Sequence, residues 1–328
     1  MNRPDRARIG IAGIAAAVIA GGVLSGCGTG SSPSSASTSA PTLPPGSISA
    51  STTTDQSVGM PKSSLDLKAV SLGTNVYSTT ITAVGAEHVC SPLTGAPPVK
   101  TPPWVDVGAA TWNMTTKAAV AGDVSWNSSF SVTHAGSDLV LRGNDLPPRS
   151  GTFPVDPADP AHAYNPDLNP VSAHDFTLKV PNDPTQNPTP SCVPGNGAVG
   201  VMSNGVILLG GLDANGNDAG ALETQDTCHG SPGLTGYHYV SLSPCLLSAA
   251  ARTTATQVGW ARDGFGIYVE YGSNGDLLTN QDLDACHGRT SPVPWHGRTV
   301  TIYHYDMTLE YPYAVGCFSG TPSPLGGS

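Results

Sequence analysis

The chain has 328 residues, with 39 Gly and 30 Pro, only 12% charged side chains and a formal net charge of −10. More than a fifth of it is Gly or Pro, which excludes a helical bundle and points to a turn-rich, mainly β protein. With 24 acidic against 14 basic side chains and no basic cluster, nucleic acid and anionic lipid headgroups are poor partners, whereas cations are not repelled.

Residues 1–26 read as an export signal. Arg3, Arg6 and Arg8 precede Ile9 to Val23, an uncharged stretch rich in Ala, Gly, Ile and Val and too short to span a bilayer. Leu24-Ser25-Gly26-Cys27 then has the form of a bacterial lipobox, with cleavage before Cys27 and lipid on its sulfur. The alternative is an ordinary signal peptide followed by an incidental cysteine. Acyl chains on Cys27, at about 0.8 kcal/mol per buried CH₂, would hold the protein at the cell membrane on its extracytoplasmic side. Cleavage removes three Arg and one Asp, leaving −12. Residues 27–63 are mostly Ser, Thr, Pro, Gly and Ala, a composition expected to stay disordered as a tether because it buries too little to offset chain entropy.

Residues 64–120 are expected to form an N-terminal β extension, with β-formers clustered in Leu65 to Leu72, Val76 to Val84 and Ala109 to Thr116. Strands are expected in Asp123 to Thr133, Asp138 to Arg142 and Asp175 to Val180, with Pro-rich surface loops over Leu146 to Pro170 and Asn182 to Pro194. Only Ser248 to Val258 looks helical, and its threonines weaken even that. Residues 321–328 are expected to be a disordered tail.

From residue 199 onward the chain repeats itself. Tyr237-His238-Tyr239 returns as Tyr303-His304-Tyr305, each preceded by Asp-x-Cys-His-Gly, at Asp226 to Gly230 and Asp284 to Gly288. Gly200-Val-Met-Ser-Asn-Gly205 stands to the first as Gly259-Trp-Ala-Arg-Asp-Gly264 stands to the second, and the copies close on Cys245 and Cys317. A period of roughly sixty residues marks a tandem of two related β modules, about 199–246 and 258–318, too few for a solenoid. Gly200 to Leu209 and Gly264 to Tyr271 are the apolar strands, and each Tyr-His-Tyr is a second strand. The fold expected is a mainly β, sandwich-like domain of two related modules with Pro/Gly-rich loops, stapled by disulfides.

Six cysteines remain beside Cys27, an even number that suits an oxidising compartment. The repeat suggests Cys228 with Cys245 and Cys286 with Cys317, leaving Cys90 for Cys192. Thiolate metal binding is the alternative, but there is no Cys-x-x-Cys pair to favour it.

Asp-Gly-Phe-Gly-Ile-Tyr (263–268), Leu-Asp-Ala-Cys-His-Gly (283–288), Tyr-His-Tyr (303–305) and the Tyr-Pro-Tyr segment opening 311–320 resemble the YHYH domain family. Gly-Val-Met-Ser-Asn-Gly-Val (200–206), Asp-Thr-Cys-His-Gly (226–230) and Gly-Tyr-His-Tyr (236–239) fit it too. The resemblance extends over residues 121–320 and implies one fold unit without a particular chemistry. The chain departs from the family pattern at Val240 and Asp306, where the fourth motif residue is usually His, and at Ser231 and Arg289, where His is frequent.

In a strand His304 and Asp306 face one way and Tyr303 and Tyr305 the other. If the modules pair about a pseudo-twofold axis, His238 and His304 could converge, with Asp226, His229, Asp284 and His287 supplied by the preceding loops. Those six make a candidate site for one transition-metal ion, since imidazole with carboxylate suits Zn²⁺, Cu²⁺ or Fe²⁺. Asp306 or Tyr303 would be supporting partners. The competing reading is structural, with satisfied core histidines and aspartates that accept backbone N–H bonds in turns. Calcium is less suited: counted from Asp213, an EF-hand would need Gly and Glu where Asp218 and Thr224 stand. Glu270 with Asp284 or Glu310 could be nominated as a glycosidase pair, but nothing fixes their geometry, and no catalytic residue is assigned. The expectation is a cell-envelope lipoprotein carrying a binding or structural module, with an unknown envelope partner. A metal-dependent extracellular hydrolase or oxidoreductase is the alternative.

Overall fold

Each copy of the repeat contributes four strands. In the computed structural model, which describes residues 56–328 apart from 99, 166, 167, 249 and 328, copy one supplies β1 (Ala198–Met202), β2 (Ile207–Leu209), β3 (Gly230–Gly233) and β4 (Gly236–Tyr239). Copy two supplies β5 (Thr256–Ala261), β6 (Gly266–Val269), β7 (Gly288–Trp295) and β8 (Arg298–Asp306). The eight form one sheet in the order β3-β4-β2-β1-β5-β6-β8-β7. The second half of that order mirrors the first, and the halves meet where β1 and β5 run antiparallel with Val201 opposite Trp260. The pseudo-twofold relation between the modules is thus built into the strand order.

The local signals explain each hairpin. Asn204-Gly205 and Asp263-Gly264 turn β1 into β2 and β5 into β6, with Gly205 and Gly264 at φ of 86° and 94°, a region that only Gly enters freely. Each module then crosses over, so that β4 lies parallel to β2 and β8 parallel to β6.

A second, antiparallel sheet sets Leu325–Gly327, Phe176–Pro181, Asp138–Gly143 and Phe130–Ala135 side by side. Its Leu139, Leu141, Phe176, Leu178 and Val180 cluster with Val201 and Ile207 on one face of the large sheet. The opposite face, bearing Tyr237, Tyr239, Tyr303 and Tyr305, packs into the main core with Val70, Trp112, Met114 and Phe318. Tyrosines and histidines of the motif therefore lie on opposite faces, as strand alternation requires.

Three disulfides staple the fold: Cys90–Cys192, Cys228–Cys245 and Cys286–Cys317, the pairing the repeat suggested. The N-terminal segment is woven into the same unit. Its Ala119–Val120 pairs with Gln225–Asp226, and Lys117, wholly buried, donates to Gly220 O and Gln225 Oε1, each at 2.6 Å.

Several sequence expectations are corrected. Part of the expected tether is ordered: the Gln56 carbonyl meets the His229 ring, and Met60 packs on the core, a polar and an apolar contact that hold residues 56–63 against the domain. The tail is not structureless either, since Leu325–Gly327 hydrogen-bonds along Phe176–Leu178 and Leu325 packs on the smaller core cluster. Ser248 to Val258 holds one short 3₁₀ turn, Ala250–Arg252, and then enters β5, where its threonines suit an extended backbone. The signal segment, Cys27 and the tether up to residue 55 lie outside the described residues.

Candidate metal centre

The two Asp-x-Cys-His-Gly segments are turns with one construction. Asp226 Oδ1 accepts from the backbone N–H of Cys228 and Gly230, at 2.8 and 3.2 Å, and Asp284 Oδ1 from Cys286 and Gly288, at 2.9 and 3.0 Å. Tyr237 and Tyr303 donate their hydroxyls to the same aspartates. His229 and His287 sit at positive φ, 60° and 69°. Gly230 and Gly288 lie directly under the phenols, where a Cβ would come within 2.1 Å of Tyr237 Oη and 2.4 Å of Tyr303 Oη. Asp, Gly and the first Tyr of each Tyr-His-Tyr are one interlocked device.

This device keeps the histidines apart. His229 Nδ1 and Nε2 each lie 3.0 Å from a carbonyl oxygen, of Leu242 and Gln56. His287 Nε2 lies 3.1 Å from Thr308 Oγ1, and burial pushes its pKa down to about 3. His238 and His304 stand on β4 and β8, five strand spacings apart, roughly 24 Å at about 4.8 Å per spacing. Asp226, His229, His238, Asp284, His287 and His304 therefore do not form one ligand set. Pairing β1 with β5 puts the apolar hairpins at the centre of the sheet and the Tyr-His-Tyr strands toward its two edges.

Copy two instead assembles a different cluster around its own histidine. Glu270, just beyond β6, His304 and Asp306 offer ligand atoms that all lie within 4.8 Å of one another, and all three residues are buried. The parallel register of β6 with β8 sets Tyr268 beside Asp306 and brings Glu270 to the same face. His304 Nδ1 lies 2.9 Å from Ile302 O, so it donates there and Nε2 faces the cluster. Nε2 is 3.2 Å from Glu270 Oε2 and 3.5 Å from Asp306 Oδ2. Arg289 closes the cluster from the solvent side, its Nε and Nη2 donating to Glu270 Oε2 at 2.8 and 2.5 Å, while Ser291 Oγ donates to the same oxygen at 3.0 Å.

Asp306 is the anomaly. It is 0% exposed, yet neither carboxylate oxygen accepts a hydrogen bond, and Arg289 Nε is 3.8 Å from Oδ2. Burial, reinforced by the Glu270 charge, lifts its pKa to about 8 against the opposing pull of His304 and Arg289. For His304, burial opposes the charged ring, but the Glu270 hydrogen bond and the Asp306 charge outweigh it and raise its pKa. Two bare carboxylate oxygens beside an inward-facing imidazole nitrogen form a donor set that fits a divalent transition metal.

Residues 177–277 match the model of the family described as YHYH protein. No curated protein and no solved structure matches the chain. The YHYH match spans the first Tyr-His-Tyr and ends at Leu277, before the second, which the structure nonetheless sets in the same sheet. Arg289 and Asp306, both beyond the matched residues, lie beside His304.

Sequence reasoning singled out His304 and kept Asp306 as a supporting partner. It missed the role of Glu270 and Arg289, whose signal is strand alternation combined with a pairing order that the sequence does not display. In copy one the equivalent His238 pairs instead with Glu223, Nε2 to Oε1 at 2.9 Å, and the position of Asp306 is taken by Val240.

Proposed function

We propose that the protein is an extracytoplasmic, lipid-anchored binding module that holds one divalent transition-metal ion on Glu270, His304 and Asp306. The observation that carries the metal reading is the pair of buried, donorless oxygens of Asp306, pointing into a site whose other members are a carboxylate and an imidazole. The anchor rests on the Arg-rich start, the short apolar stretch and Leu24-Ser25-Gly26-Cys27. Glu270 would hold the ion once Arg289, whose side chain is partly exposed, released its oxygen. Ligands buried this deeply suit holding an ion more than turning over a substrate, so binding is favoured over the hydrolase or oxidoreductase alternative.

The test is metal analysis of the full chain, stripped with chelator, exposed to Zn²⁺ or Cu²⁺ and desalted. One ion per chain is expected, lost in Asp306→Asn and in His304→Ala. Retention by both variants, or no ion in the parent chain, would overturn the reading.

A further inference from the structure

A second site lies on the same face of the large sheet, in copy one. The Leu325–Gly327 strand and the β3–β4 hairpin border a cleft of about 850 Å³, which adjoins a smaller hollow of about 280 Å³. The two share Asn196, Leu209, Leu234 and Thr235. The wide part is walled by apolar side chains, Phe176, Ile207, Leu209 and Leu325 among them. Leu234, at the hairpin tip, is 91% exposed yet lines both parts, so its isobutyl group is free to close on an occupant.

The narrow part, although partly walled by Leu209, Leu212 and Val240, brings two acidic side chains to the end of the cleft. Glu223 and Asp213 line it with His238. Glu223 gives one oxygen to His238 Nε2 at 2.9 Å, and its other oxygen has no hydrogen-bond donor. Asp145, buried behind the hairpin, also acts on His238. Asp175 lines the wide part, and no Lys or Arg lines either. A largely apolar trough that ends beside Glu223, whose Oε2 is buried without a hydrogen-bond donor, complements a molecule with an aliphatic body and a donating, positively charged head.

We propose that this cleft binds small amphiphiles bearing a protonated amine, with the chain along Ile207 and Leu209 and the ammonium at Glu223. The site is separate from the His304 cluster and does not depend on a metal.

The experiment is calorimetric titration of the full chain with decylammonium, decanoate and decanol, each below its micelle concentration. Working at about 0.15 M salt screens long-range attraction to the acidic protein. Saturable 1:1 binding of decylammonium is expected, at least tenfold tighter than decanoate. Glu223→Gln should bring decylammonium down to the level of decanol. Leu234→Ser, at an exposed position that leaves folding intact, should weaken decylammonium several-fold. Equal affinity for decanoate, binding of decylammonium unchanged in Glu223→Gln, or no saturable binding would each overturn the proposal.

Discussion

The hydroxyl of Tyr237 donates to Asp226 Oδ2 at 2.8 Å inside the core, whereas its repeat partner Tyr303 donates to Asp284 Oδ1 at 3.2 Å, and Asp284 is exposed. One motif is thus used at two depths. A hydrogen bond to a buried charge contributes about 1.5–3 kcal/mol, and its loss leaves the carboxylate short of a donor that water cannot replace. Tyr237→Phe should cost about that much in urea unfolding, while Tyr303→Phe should cost under about 1 kcal/mol, since water reaches Asp284. Equal losses would show that depth does not set the value of this bond.

The disulfides should rank by the loop each closes. Cys90–Cys192 spans 102 residues, Cys286–Cys317 31 and Cys228–Cys245 17. Loop-closure entropy gives about 4.7 kcal/mol for a loop near 100 residues and about 3 for one near 15. Paired Cys→Ala variants, followed by thermal unfolding, should therefore lose most stability at Cys90/Cys192. A non-reducing peptide map that joins one copy to the other would contradict the pairing itself.

Stability should fall away on both sides of mildly acidic pH. Burial, with Asp218 adding to it and the Gly211 N–H opposing, lifts Glu87 to about 8 from 4.5. Between those values the folded state holds a proton that the unfolded state has lost, so stability declines as pH rises, by about 1.4 kcal/mol per unit and group. Asp145, raised to about 8 mainly by burial, acts in the same direction. His287, lowered from 6.5 to about 3 by burial, acts oppositely: the unfolded state binds the proton first, and stability declines as pH drops below 6.5. Glu87→Gln, which keeps an acceptor for Gly211 N–H, should flatten the alkaline limb. His287→Asn, with a residue that tolerates positive φ, should flatten the acid limb. Unchanged limbs in denaturation at stepped pH would show that these groups do not set the profile.

If Cys27 carries lipid, cells fed labelled fatty acid should label the parent chain and not Cys27→Ser. Equal labelling of both would remove the anchor from the account.

The β class, the repeat, the disulfide pairing and the opposite facing of Tyr and His were legible because each depends on local spacing. Asn204-Gly205 and Asp263-Gly264 announced their hairpins for the same reason. The site was not legible, because it depends on which strands are neighbours. Two histidines on equivalent strands of a pseudo-twofold sheet look convergent in sequence, yet β1 pairing with β5 sends them toward opposite edges. Glu270 reaches His304 only through the parallel pairing of β6 with β8, and Arg289 only through the β7–β8 register, in which it stands opposite His304. Gln56 and Leu325 were assigned to disordered segments on composition, but one carbonyl beside a buried ring and one leucine over an apolar cluster suffice to order such ends.

Arg289 occupies Glu270 Oε2 with two hydrogen bonds, so an ion bound as proposed would compete with it. Replacing it by Gln removes a fixed positive charge from the site while leaving the three ligands, so Zn²⁺ should bind at least tenfold more tightly to Arg289→Gln in competition with a chromophoric chelator. A lower affinity would mean that Arg289 supports the ion rather than standing in for it.

X-ray absorption at the metal edge of the Zn²⁺-loaded chain tests the centre most directly. Glu270, His304 and Asp306 predict one imidazole nitrogen and carboxylate oxygens at about 2.0–2.2 Å, without sulfur. Two or more imidazoles, a thiolate at about 2.3 Å, or a spectrum unaltered by Asp306→Asn would contradict it.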